Sequence, residues 1–189
     1  MGANSALIFG IIINVAILLV FFRFLMQLAA VSPYNPVVLS TVKATKIVDV
    51  FGRIFPTAGK GRVNTAALAL LVVLYLLKIF GIMYLSGGMP NGPIHLLILT
   101  FVTMMQDLIR FCRYLIFATI ILSWVVMFTQ SRSPYIEVVQ ELAEPLLAPF
   151  RRIMPNMGMI DLSPILAILA LIVIEMIMNQ VAIVLLTGL

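Results

Sequence analysis

Five polar or charged side chains sit deep inside the long apolar runs of this chain: Lys78, Glu175, Arg113, Asn14 and Asn179. A charged group at the centre of a bilayer costs about 2.5–3.5 kcal/mol on insertion scales, so such residues must be paired, wetted or functional. Glu175 lies twelve residues past Ser163 and Lys78 fourteen past Asn64. At ~1.5 Å per helical residue these depths differ by about 3 Å. Arg113 comes fifteen residues before Phe128, Asn14 fifteen before Ala29, and Asn179 one turn after Glu175. The spacing predicts one polar layer in the outer half of the membrane, with Glu175 paired to Lys78 or Arg113. Such a pair can fix helix register, or it can relay an ion or a proton. A third arrangement lets Arg113 and Arg110 snorkel to the outer surface and leaves Lys78 alone for Glu175. Asp107 and Arg110, three apart, can pair on one helix face and suit an interfacial start to their run.

The second constellation is basic and lies in two loops. Arg132, Arg151 and Arg152 belong to one, Arg53 to the other. Arg151 and Arg152 can dock an anionic lipid headgroup or a cytoplasmic partner, or act as a positive-inside anchor beside an interfacial helix. The two roles are compatible. His95 stands alone beside a turn with no second ligand near it in sequence, so no metal site is expected. The single Cys112 lies in an apolar run and excludes a disulfide framework. Nucleophile, phosphate-loop and paired-carboxylate signatures are missing, so no enzyme and no cofactor are expected. The twelve Met residues carry no ligand motif and suit packing or lipid contact.

These groups must be positioned by membrane helices. The chain is 63% hydrophobic and 10% charged, with a mean hydropathy of +1.18, whereas soluble domains carry about 25% charged residues. The apolar runs predict an all-α membrane protein with four transmembrane helices, each run reaching the ~20 residues a crossing needs. Span 1 covers 6–29, with Arg23 near its end free to snorkel. Span 2 covers 64–85, span 3 covers 94–128 and span 4 covers 162–186. Span 1 has no basic residue before it and no small-residue cleavage site after it, so it is expected to remain as a span. Residues 86–93 form an uncharged Gly/Pro turn. At ~1.5 Å per residue span 3 would be about 50 Å long, more than one crossing needs. Either it tilts and projects, or residues 94–109 form a separate interfacial or hairpin segment. Trp124 reads as a belt residue.

Loops 31–63 and 129–162 fall on the same side of four crossings. Together with Arg23 they hold nine of the twelve Lys and Arg residues. The basic side is normally cytoplasmic, so both termini are expected outside. Net charge is +5, but confined to loops it serves orientation better than nucleic-acid binding. In the second loop Tyr135, Val138, Val139, Leu142, Leu146, Phe150 and Ile153 recur at helical spacing, which predicts an amphipathic segment lying on the membrane. Pro145 and Pro149 predict that it divides into two short helices with a bend. Asp161 or Ser163 can cap span 4, with Pro164 at its first helical position.

The two loops share a cassette. The second reads Arg132-Ser133-Pro134-Tyr135, then Glu144-Pro145 through Pro149-Phe150-Arg151-Arg152-Ile153-Met154-Pro155, then Gly158 through Ile160-Asp161-Leu162-Ser163-Pro164. The first runs from Ser32-Pro33-Tyr34-Asn35-Pro36 to Arg53-Ile54-Phe55-Pro56, Gly59 and Asn64. The pairing predicts two repeats, 1–93 and 94–189, in parallel topology, each with a cytoplasmic amphipathic helical loop.

These motifs resemble the YggT (YlmG-like) family of small bacterial and plastid membrane proteins. The resemblance spans nearly the whole chain as two family repeats and is most specific in the second. In the first, Lys46 and Val50 stand where prolines are expected, Gly52 replaces the first Arg and Arg62 replaces the Asp. The resemblance implies a protein of the bacterial inner membrane without an enzymatic activity, linked to osmotic or ion homeostasis, envelope factors of division, or cytochrome assembly in plastids. Its expected partners are anionic lipid headgroups and an unidentified membrane or cytoplasmic protein, with a homo-oligomer also open. The competing reading is a small ion transporter or channel subunit built on Lys78, Glu175 and Arg113. Four unbroken spans suit alternating access poorly. No GxxxG lies within a span to support glycine-mediated dimerisation.

Overall fold

A computed structural model of the chain describes residues 2–59, 61–88, 92–130, 133–153 and 161–187. Over these residues it holds seven helices: α1 (Gly2–Leu28), α2 (Pro36–Ala44), α3 (Ile47–Phe51), α4 (Thr65–Leu85), α5 (Pro93–Thr129), α6 (Pro134–Ile153) and α7 (Ser163–Thr187). Four of them, α1, α4, α5 and α7, are long and apolar enough to cross a membrane. Helix is the only backbone that satisfies every polar group within a single crossing segment, which is why runs of this composition fold this way. Apart from the helices, the described residues contain one isolated bridge between Ala58 and Val63.

α1 packs along α4 and α5 along α7, and α4 lies against α5. At the first crossing the ring of Phe9 sits directly over Gly81, where a methyl group would come within 2.5 Å of it. Phe111 of α5 meets Phe21 and Phe22 of α1 edge-on, with ring centroids 5.3 and 6.4 Å away. Two buried clusters result. One gathers Ile17, Phe21, Leu71, Tyr75 and Met104; the other gathers Met26, Ile116, Val138, Leu142 and Ala167. The remaining apolar surface is turned outward, most completely on α7, with Leu169, Val173, Met176, Ile177 and Val184 more than half exposed. That distribution suits helices solvated by hydrocarbon.

The helix ends explain the boundaries. α1 closes with Ala30 in the left-handed region (φ 56°). Val31 N–H donates to the Met26 carbonyl and Ala30 N–H to that of Gln27, a Schellman-type closure made without the usual glycine. Asn35 accepts from Val37 N–H at 2.9 Å and Pro36 opens α2, as capping chemistry favours. Asn64 accepts from Ala67 N–H at 2.8 Å to cap α4, while its amide donates to Gln27 Oε1 at 2.8 Å.

One choice left open by the sequence is decided, and two expectations are corrected. Residues 94–109 are no separate segment, because α5 runs unbroken for 37 residues. The second loop holds one 20-residue helix, with Pro145 and Pro149 inside it. Both prolines lie on its exposed face, so the carbonyls they leave without partners are not sealed in the core. The opposite face, Val138, Leu142, Ala143 and Leu147, is buried against the bundle. α6 is therefore held by protein packing, and only its exposed margin, with Tyr135 and Ile153, is free to meet other surfaces. In the first loop the helical signal is split between α2 and α3.

Arg23 is the second correction. It does not snorkel: it is buried, donates to the carbonyl of Thr45 at 2.8 Å and to its hydroxyl at 3.2 Å, and pairs with Asp49. It thus straps α2 and α3 onto the end of α1. The loop layer is further joined by Asn35, whose amide donates to the Pro134 carbonyl at 3.1 Å.

Candidate functional site

Besides the Arg23 strap, two polar sites stand out among the described residues, one at the middle of the long helices and one where α6 meets α7. Tyr75 and Glu175 are the central residues of α4 and α7, and Asn14 is one residue from the centre of α1. Around that level five charges form a connected series. Lys78 lies 3.5 Å from Asp107 Oδ2, Arg110 lies 3.0 Å from Asp107 Oδ1 and 3.9 Å from Glu175 Oε1, and Arg113 lies 2.5 Å from Glu175 Oε2. The helices dictate this order. Asp107, Arg110 and Arg113 recur every third residue on α5, so one face of that helix reaches α4 on one side and α7 on the other.

Glu175 therefore takes Arg113, while Lys78 takes Asp107, a residue read from sequence only as a local partner of Arg110. The Arg110 pair holds, at 3.0 Å, with Lys78 as a second partner, and what is corrected is its place. Asp107 is not at an interfacial start to the span but opposite the centre of α4, where the buried Tyr75 hydroxyl donates to its Oδ2 at 3.0 Å. The Lys78 ammonium also lies over the Tyr75 ring, 5.3 Å from its centroid, a favourable cation–π distance. Asn179 accepts from Gln106 Nε2 at 2.7 Å, which adds an α5–α7 contact. Tyr75, Gln106 and Asp107 were missed as members of this layer. For Gln106 and Asp107 the signal is the run of i+3 and i+4 polar positions on α5, whereas Tyr75, on α4, lies outside that pattern.

Asn14 does not join the ion pairs. It lines a cavity of about 210 Å³ with Tyr75, Asp107, Arg110 and Tyr114, and its amide has no hydrogen-bond partner among the described residues.

At the second site, Arg151 donates to Glu144 Oε2 at 2.5 Å and to Asp161 Oδ2 at 3.1 Å. Asp161 in turn accepts from Ser163 N–H at 2.9 Å and from its hydroxyl at 2.5 Å. The chain is thereby closed from the last turn of α6 onto the first turn of α7. Partial burial of Arg151 works against its charge, but the bonds to Glu144 and Asp161 outweigh it and raise its pKa above the ordinary value. Partial burial likewise pushes Asp161 up, and the Ser163 and Arg151 hydrogen bonds overcome that and leave it below the usual carboxylate value. A cavity of about 630 Å³ opens beside these groups, walled by Thr119, Trp124 and Met127 of α5, Leu147 of α6 and Pro164 of α7.

The cassette arginines thus differ. Arg151 is committed to two carboxylates, whereas Arg152 and Arg53 are exposed and have no ion-pair partner among the described residues. Pro145 and Pro149 lie on the exposed face of α6, as above. Arg132 and the stretch from Met154 to Ile160 fall outside the described residues. Among the described residues the buried His95 Nδ1 has no hydrogen-bond partner, and no cluster of three potential metal ligands occurs.

A sequence profile of the CCB3/YggT family matches residues 98–182. An uncharacterised protein of Pseudomonas aeruginosa is 34% identical over 186 residues, covering 96% of this chain and 92% of that one. An uncharacterised protein of Haemophilus influenzae is 33% identical over 171 residues, 90% of this chain and 88% of that one. The Escherichia coli protein named YggT is 34% identical over 166 residues, 87% of this chain and 84% of that one. No solved structure matches the chain.

Proposed function

The chain belongs to the CCB3/YggT family, and from that premise we propose that it is a non-enzymatic accessory protein of the bacterial inner membrane. In this reading its loop layer faces the cytoplasm and both termini face outward. It supports envelope or membrane-protein assembly, or osmotic and ion homeostasis, by engaging the lipid surface and a protein partner. The two halves, 1–93 and 94–189, act as parallel repeats. The packing of α1 on α4 and of α5 on α7, with a helical loop between the members of each pair, supports that view.

One observation carries the proposal: each of the five central charges has an opposite charge within 3.9 Å inside the bundle. Ion pairs closed in this way fix helix register and need no passing ion to be satisfied. At the loop layer the opposite holds. Arg152 and Arg53 are left exposed, and juxtamembrane cations contribute about 1 kcal/mol each toward an anionic leaflet.

The competing reading, an ion transporter or channel subunit, draws on the continuity of the same series, since Arg110 bridges Asp107 and Glu175. Ion flux in liposomes holding the purified protein separates the two. The accessory reading expects no flux above empty liposomes. Flux that Glu175→Gln abolishes would overturn it. Cross-linking in cells that returns one stoichiometric protein partner would count against an autonomous channel.

A further inference from the structure

The central layer is paired but not balanced. Among the described residues Lys78, Arg110 and Arg113 face only Asp107 and Glu175, which leaves one positive charge in excess at the middle of the spans. That excess is not sealed in the core. Arg110 has 46% of its side chain exposed, and it lines the 210 Å³ cavity between α1, α4 and α5 together with Asn14 and Tyr114. Asn14 is exposed, Tyr114 is 61% exposed, and neither polar group has a hydrogen-bond partner among the described residues. Leu18, 51% exposed, completes the same lip.

A groove with a free amide, a free hydroxyl and a half-exposed guanidinium is an unsatisfied surface in hydrocarbon. Water or lipid headgroups lie about 15 Å away at mid-bilayer depth, half the thickness of the hydrocarbon core. We propose that this groove is the seat of a transmembrane helix from another protein, one that carries a single Asp or Glu near its midpoint. The carboxylate would complete the charge balance beside Arg110, and Asn14 and Tyr114 would donate to its second oxygen.

A second copy of this chain does not fit. Of its seven acidic residues, Asp49, Glu137, Glu141, Glu144 and Asp161 lie in the loop layer, and Asp107 and Glu175 are already paired. Two copies facing through this groove would bring like charges together. The proposal rests on the membrane-accessory reading and supplies the chemistry of its partner, but its test reads helix association and not ion flux, so the two fail separately.

The probe is a synthetic apolar helix of about 20 residues with Glu at its centre, compared with Gln, Leu and Lys versions. Association with the full chain is followed by fluorescence energy transfer in neutral phosphatidylcholine vesicles. The Glu helix is expected to bind roughly three- to tenfold more tightly than the Leu helix, the range that interhelical polar contacts deliver in lipid, with Gln between them and Lys weakest. Asn14→Leu, at an exposed position with no intramolecular bond to lose, should shrink the preference, and Arg110→Gln should abolish it. A Glu helix that binds no better than the Gln or Leu helix, or a preference that survives both substitutions, overturns the proposal. A photo-cross-linker placed at Leu18 extends the test to cells. Capture of a protein with an acidic residue midway along an apolar span supports it, whereas cross-links only to lipid or to a second copy overturn it.

Discussion

Arg113 Nη1 lies 2.5 Å from Glu175 Oε2, joining the midpoint of α7 to α5, and both side chains are mostly buried. Removing one member of a buried pair strands the other, a change that costs about 3–5 kcal/mol. Glu175→Ala strands Arg113 and also removes the counter-charge near Arg110. It should lower stability by about 3 kcal/mol, read from thermal unfolding in mild detergent. Exchanging the partners, Arg113→Glu with Glu175→Arg, should recover more than half of that loss. Exchanging Glu175 with Lys78 should not, because Lys78 pairs with Asp107 on the other side of the network. Equal recovery by both exchanges would contradict the observed pairing.

The layer illustrates what a linear sequence shows. Depth along each helix is a simple count, so the convergence of Lys78, Glu175 and Arg113 on one level was legible. Azimuth is not a simple count, because it depends on how α5 is rotated between α4 and α7. That rotation gives Asp107 to Lys78 and Tyr75, and gives Arg113 to Glu175. The same gap explains α6. Its apolar stripe was plain from the spacing of Val138 and Leu142, but the stripe does not name its partner, which is the bundle rather than a lipid surface. Arg23 was misplaced because its ligands, Thr45 and Asp49, come from a loop whose fold the pattern does not specify.

Ala30 offers a test of the α1 closure. It holds a left-handed conformation at φ 56°, which costs an L-residue roughly 1–2 kcal/mol and glycine almost nothing. Ala30→Gly should therefore stabilise the protein by about 0.5–1 kcal/mol, seen as a raised melting temperature. A β-branched residue there, Ala30→Val, should do the reverse. A destabilising Ala30→Gly would mean that the closure is not the conformation populated in solution.

At the crossing of α1 and α4, a methyl group on Gly81 would meet Phe9 at 2.5 Å. Overpacking of this kind costs typically 1–3 kcal/mol. Gly81→Ala should destabilise by about that amount, and Phe9→Leu in the same chain should restore most of it. The check is a double-mutant cycle on melting temperatures. Strict additivity of the two changes would show that the ring does not lie over Gly81.

Asp161 links pH to the start of α7. Its pKa is lowered in the fold, so the carboxylate contributes stability that is complete above its unfolded value and is lost as pH falls through the folded value. Hydrogen exchange at the first turn of α7 should be insensitive to pH near neutrality, once corrected for intrinsic rates, and should accelerate as the medium falls below about pH 4. Asp161→Asn removes the charge that Arg151 meets and should flatten this response. Arg151 itself, held above an already high value, contributes no titration in that range.

Pro145 and Pro149 occupy the exposed face of α6, one turn apart. Inside a helix each proline deletes a donor and presses on the turn before it, at about 3 kcal/mol relative to Ala. The buried face of α6 offsets that cost through Val138, Leu142, Ala143 and Leu147. Pro149→Ala should therefore stabilise the helix, by about 1 kcal/mol after relaxation of the surrounding turn. It should also shift the end of α6, where Arg151 reaches Glu144 and Asp161. If the prolines serve only as tolerated defects, the melting temperature rises and the accelerated exchange of α7 at low pH keeps its midpoint. If they set the angle at which Arg151 meets Asp161, that midpoint moves up toward the ordinary carboxylate value as the contact lengthens. The geometry favours the second outcome, because Arg151 is only two residues past Pro149 and its two carboxylate partners lie on different segments of the chain.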